Sequence, residues 1–190
     1  MAEKRCCFIG HRTLEESEEL FTLLRDTIKR LILEEGVRYF LFGSRSAFDD
    51  LCHSIVTEYQ KEYPHIIRVA YTRRSEYAVK AEEKEKMERS WASVLKTEVK
   101  LKDYDAEVQS DRVLSAGKAS YVERNYEMID DSDFCVFYYN EAYLPPRRKR
   151  SKRDLSTYQP KSGTRLAYEY AIRKSQDGAK IVINTYISDN

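Results

Sequence analysis

Residues 5–12 read RCCFIGHR and residues 37–46 read VRYFLFGSRS. Each is a short, apolar, β-prone run that ends abruptly in a glycine followed by hydroxyl or cationic residues. Between them Leu20, Leu24, Ile28, Leu31 and Ile32 recur at helical spacing. Glu15, Glu16 and Glu18 stand near the start of that helix, where carboxylates favour the positive end of the helix dipole. Gly36 stops it. Strand, helix, strand with short connections is the pattern of a parallel βαβ unit, since parallel strands need a crossover between them.

The pattern continues outward. Phe48, Leu51, Cys52, Ile55 and Tyr59 mark one face of a second helix, Pro64 marks its exit, and IIRVAY at 66–71 supplies a third strand. Residues 76–102 are highly charged, and a helix is expected in their first half. A helix over 120–131 feeds FCVFYY at 134–139, the most strand-like run of the chain. A basic, proline-containing loop spans about 140–161, followed by a helix over 162–174 and a last strand over 179–185. With no internal repeat and no second core, residues 1–190 are expected to form one α/β domain. The predicted architecture is a Rossmann-like three-layer sandwich around a mainly parallel sheet.

Composition narrows the function classes. The 33 basic and 32 acidic residues of the 190 nearly cancel, so a global electrostatic pull toward nucleic acid is not expected. The hydrophobic fraction of 42% beside 34% charged residues fits a compact core wearing solvated helices. No apolar run approaches the length of a membrane span and no secretory apolar core opens the chain, so a cytoplasmic protein is expected. The four cysteines, Cys6, Cys7, Cys52 and Cys135, lack metal spacing. Three of them sit in strand-like runs and read as buried thiols; neither a metal nor a cofactor is called for.

In open parallel sheets ligands bind beyond the carboxyl ends of the strands. Three segments fall at that edge: Gly10-His11-Arg12, Gly43-Ser44-Arg45-Ser46, and Ser162-Gly163-Thr164 at the start of the last helix. Glycine permits close backbone approach, and N–H groups at a helix start make an anion seat, so phosphate binding is the expectation. Each glycine also has a plainer reading as a turn or helix-start residue, and His11 as a hydrogen-bonded structural histidine. The run Arg147–Arg153 reads as a solvated loop, a nucleic-acid contact, or a lid over a polyanionic ligand; no aromatic platform alternates with its charges.

At CCFIGHR (6–12), FGSRSAFDDL (42–51), VERNYEMIDDSDFCVFYY (122–139) and SGTRLAYEYA (162–171) the chain resembles the SLOG superfamily, Rossmann-like proteins named for the DprA/Smf and LOG groups, and within it the compact YpsA-like branch. The resemblance implies a nucleotide-derived ligand and a homo-oligomer. LOG-type members cleave the N-glycosidic bond of nucleoside monophosphates with an arginine from an R-K-x-x-M segment and a glutamate after a P-G-G-x-G-T loop. Arg124 and Met128 match the first segment, with Asn125 in place of its lysine. The second is degraded to Pro160-Lys161-Ser162-Gly163-Thr164, and Leu166 and Ala167 stand where an acid would be expected. Other members resemble sensors of NAD-derived or cyclic nucleotide signals in bacterial defence.

Two readings follow. In the leading one the protein binds a phosphate-bearing nucleotide derivative without chemistry, as a sensor or sequestering module. Gly10, Arg12, Gly43, Ser44, Arg45, Ser162, Gly163 and Thr164 cradle phosphate, Arg124 and Asn125 add polar contacts, and His11 and Asp49 meet base or ribose. In the other it is a phosphoribohydrolase, with Arg124 orienting phosphate and Asp49 or Glu169 assisting the sugar cation, because an oxocarbenium-like state needs a carboxylate. A nucleic-acid-associated role, by analogy with DprA, ranks below both.

Overall fold

The computed structural model describes residues 3–43, 46–73, 104–110, 118–144 and 161–187. Among the described residues ten elements appear, in the order β1 (Lys4–Gly10), α1 (Glu18–Leu33), β2 (Val37–Phe42), α2 (Ala47–Glu62), β3 (Ile67–Arg73), β4 (Ala106–Ser110), α3 (Lys118–Asp130), β5 (Phe134–Tyr138), α4 (Gly163–Ser175) and β6 (Ile181–Asn184). The six strands form one all-parallel sheet, ordered β4-β3-β2-β1-β5-β6. The expected α/β Rossmann-like architecture is the one observed.

Strand alternation explains the two cores. On one face Cys6, Phe8, Phe40, Phe42, Val136 and Tyr138 pack under α1 and α2, which contribute Leu24, Ile28, Leu31, Phe48, Ile55 and Val56. On the other face Cys7, Ile9, Leu41, Val69, Cys135 and Phe137 meet Met128 and Ile129 of α3 and Ala167 and Ala171 of α4. Because β1 is covered on both faces, its sequence is a continuous apolar run instead of an alternating one. All four cysteines are free and buried. Gly36, at φ +69°, takes the left-handed conformation that ends α1, as its position predicts.

The chief departure from the expected pattern is β4, which the sequence analysis did not assign. Ala106–Ser110 reads AEVQS, and its one large apolar residue, Val108, is itself 36% exposed. An edge strand with so little to bury leaves almost no hydrophobic signal. The segment expected to be helical after residue 76 lies outside the described residues. The remaining boundaries differ by at most two residues; β6, for example, begins at Ile181 where a start near 179 was expected. There Lys180 turns its ammonium onto the carbonyls of Asp130 (2.8 Å) and Ser132 (2.6 Å), closing the C-terminal end of α3.

What holds β4 in place is a carboxylate. Asp105, just before the strand, accepts from the Arg68 amide (2.8 Å), Nε (3.1 Å) and Nη2 (3.0 Å) and from Gln60 Nε2 (2.7 Å). Burial opposes the charge, but the Arg68 and Gln60 donors overcome it and hold the carboxyl down to about 2. The ion pair is largely buried on the arginine side. Asp105→Ala is therefore expected to lower the unfolding free energy by about 1–3 kcal/mol at neutral pH, measured in urea. The folded carboxyl titrates below its unfolded value of roughly 4, so this contribution is complete above that pH. It drains away as pH falls toward about 2, and the gap between wild type and variant should close over the same window.

Candidate functional site

After β1 the chain steps outward through β2 and β3 to β4, then returns to lay β5 on the other side of β1. At that reversal the connections leave in opposite directions and open a crevice beyond the strand ends. The sequence-predicted loop Gly10-His11-Arg12 sits there. Gly10 is a glycine because of packing. A Cβ at this position would lie 2.5 Å from Phe48 Cβ, so the bare backbone lets the first turn of α2 rest on the strand. The Arg12 carbonyl accepts the Ala47 amide at 3.3 Å, fastening α2 to the same loop, while its side chain is exposed. Ser46 caps α2, its hydroxyl accepting from the Asp49 amide at 3.1 Å.

The last helix arrives from the other face. Thr164 Oγ1 donates to the Gly10 carbonyl at 2.9 Å, so α4 also begins at the end of β1. Ser162 caps it, taking the Arg165 amide on its hydroxyl (3.1 Å) and the Leu166 amide on its carbonyl (3.1 Å). The cap uses neither the Gly163 nor the Thr164 amide, the first two of the helix. Gly163 is exposed, and a Cβ there would meet none of the described residues within 4 Å. Among the candidate glycines it is the one whose Cα faces open space. Thr164, by contrast, is buried, with its hydroxyl committed to Gly10.

His11 is 2% exposed, and its ring is fixed from two directions. The Asn140 amide donates to Nε2 at 3.1 Å, and Tyr143 stacks on the ring face with centroids 4.0 Å apart and planes 26° from parallel. Tyr138 and Tyr139 complete the aromatic surround. Burial moves the imidazole below its ordinary value. An amide donates only to a nitrogen carrying a lone pair, so the ring is neutral with its proton on Nδ1. Nδ1 is buried and meets no hydrogen-bond partner among the described residues. Around the ring a cleft of about 150 Å³ is lined by Thr13, Leu14, Glu15, Tyr138, Asn140 and Tyr143.

The remaining candidates spread along the same edge. Gly43 ends β2, where a Cβ would lie 2.3 Å from Met128 Sδ and 2.9 Å from Arg124 Nε. This glycine admits α3, and with it the buried Arg124 guanidinium, which lies over the Tyr121 ring at 5.3 Å. Asn125 beside it is buried too. Asp49 is 1% exposed in the first turn of α2. Glu169 stands apart on the outer side of α4, where Lys161 (2.8 Å) and Arg165 (3.0 Å) grip its carboxylate and hold it below the usual range. Ser44, Arg45, Pro160 and the run Arg147–Arg153 lie outside the described residues.

Sequence reasoning did not single out Asn140 and Tyr143, although a signal existed. Asn140 lies two residues past the end of β5, the strand that pairs with β1, where the strand-end rule looks for ligand contacts. No family model matches the chain, and no curated protein matches it.

The His11 geometry sets a direction for pH dependence. Its folded value lies below the unfolded value of about 6.5, so the neutral-ring contacts contribute fully above that pH and are lost as pH falls through the folded value. Melting temperatures of wild type and His11→Gln, compared at pH 7.5, 6.5 and 5.5, should converge on acidification.

Proposed function

We propose that this protein binds a phosphate-bearing, nucleotide-derived small ligand at the carboxyl end of its sheet, without cleaving it. One observation carries the reading. Two capped helices, α2 and α4, begin at the end of the same central strand, through Ala47–Arg12 and Thr164–Gly10. The start of α4, whose cap uses neither the Gly163 nor the Thr164 amide, is the N–H-rich, electropositive seat for an anion at the strand-order reversal. Helix α2, whose Ala47 and Asp49 amides are engaged and whose first turn carries Asp49 and Asp50, frames the crevice beside it. The Gly163 and Thr164 amides would take phosphate oxygens, and His11 and Asp49 would meet base or ribose. The fixed charge of Arg124 lies at the neighbouring strand end. The resemblance to SLOG proteins supports the same ligand class, and a nucleotide or NAD-derived signal is the form it favours.

The hydrolase reading is weaker. Of its two candidate acids, Glu169 is occupied by Lys161 and Arg165 on the surface of α4. A carboxylate so engaged is poorly disposed to stabilise a sugar cation.

Mass spectrometry of small molecules released from the heat-denatured protein should find a phosphorylated nucleoside derivative. Gly163→Val should fold, since its side chain enters open space, yet bind adenosine 5′-monophosphate at least about tenfold more weakly by calorimetry. Unchanged affinity would remove the start of α4 from the site. Incubation with nucleoside monophosphates should release no free base. Release that disappears in Arg124→Lys, which keeps the charge and loses the fork, would overturn the binding-only reading in favour of the hydrolase.

A further inference from the structure

The stack of Tyr143 on His11 is built from one fixed ring and one covering ring. His11 is buried and neutral, and is tied at Nε2 to the backbone of Asn140. Tyr143 belongs to a surface turn that Asn140 closes through its side-chain oxygen to the Ala142 amide (2.8 Å) and its carbonyl to the Tyr143 amide (3.1 Å). Glu141, Ala142 and Leu144 of this turn are exposed, Leu144 by 77%, so Tyr143 alone tucks inward. Beside the pair lies the cleft at the strand-order reversal, and its rim carries the Thr13 hydroxyl, the Glu15 carboxylate and the Asn140 amide group. Among the described residues the His11 Nδ1–H has no partner.

We infer that the face of His11 is the subsite for the ligand's aromatic base, and that Tyr143, stacked on that face, is a stand-in that the base displaces. The inference rests on the phosphate-binding reading above and assigns the other end of the same ligand. A flat ring at 4.0 Å and 26° is the arrangement a nucleobase adopts on an aromatic platform. When a base replaces Tyr143, one stack is exchanged for another, and the edge of the base additionally meets the Thr13 and Glu15 side chains that line the cleft. A neutral imidazole suits this role, because it offers a π face without repelling a base that carries partial positive charge on its amino group. The tyrosine keeps the face covered until a ligand arrives, and lowers apparent affinity by the fraction of molecules in which it is stacked.

The test separates the two ends of the ligand. Adenosine carries the base without phosphate, and ribose 5-phosphate the phosphate without base. Both are titrated by calorimetry into wild type, Tyr143→Phe, Tyr143→Ala and Tyr143→Leu, each checked for folding by circular dichroism; Tyr143→Leu removes the ring while filling its space. Adenosine should bind wild type and Tyr143→Phe alike, and bind the Ala and Leu variants about three- to tenfold more tightly. Ribose 5-phosphate affinity should not change in any of them. Adenosine weakened or unchanged in the ring-less variants, or unbound by all four proteins, overturns the base subsite whatever ribose 5-phosphate does. Adenosine behaving as expected while ribose 5-phosphate fails to bind upholds the base subsite and discards the phosphate reading.

Discussion

The end of β1 can be reached from both faces of the sheet only because Gly10 has no side chain. Phe48 of α2 fills the space a Cβ would need, and on the other side the Gly10 carbonyl receives the Thr164 hydroxyl of α4. One residue thus fixes where two helices begin. Any larger residue would lift α2 off the strand, shifting the Ser46 cap and the Ala47–Arg12 bond with it. Gly43 repeats the device one strand away and on the opposite face, admitting Met128 and Arg124 of α3. Both glycines are set by helix packing, and the arrangement of the strand-end residues follows from it.

That packing divides the edge by rigidity. His11, Asp49, Arg124 and Thr164 are all buried, anchored by elements that the two cores hold from both faces. Gly163 and the turn carrying Tyr143 lie on the outside. In the proposed reading the buried set supplies orientation, and the outer set is where backbone amides and a displaceable ring meet the ligand. Preorganised polar groups of this kind contribute affinity mainly because little must be ordered when the ligand binds.

Most of the fold was legible in the sequence because β1, β2, β3 and β5 are apolar runs between amphipathic helices, and burial writes itself into such patterns. β4 was not, since AEVQS buries too little to leave a trace; a polar latch, Asp105 with Arg68 and Gln60, supplies what hydrophobicity does not. The strand-end loops are legible because the apolar runs mark where β1 and β2 stop, but the role of each glycine within them is not. Gly10, Gly43 and Gly163 look alike in sequence, and only the neighbours of each Cα separate two packing positions from one open to solvent. Tyr143 was illegible for another reason. It is one of 15 tyrosines, and its stack on a histidine 132 positions earlier in the chain is a fact of tertiary structure alone.

The central place of β1 has a consequence for biosynthesis. Its hydrogen-bonding edge on the β5 side finds its partner 128 residues later, the separation between Arg5 and Asp133. At ~5–20 residues per second, a ribosome takes roughly six to twenty-five seconds to deliver that partner. Throughout that interval the nascent chain holds an unpaired strand edge, a row of open backbone N–H and C=O groups on a run that is apolar from Cys6 to Ile9, the kind of surface that recruits other strands. The first half of the protein, up to β3, can assemble locally, but it remains an adhesive intermediate until residues 134–138 emerge. Growth temperature and translation speed are thus levers on the yield of this protein, acting through the position of one strand in the sheet order and not through the stability of the finished fold.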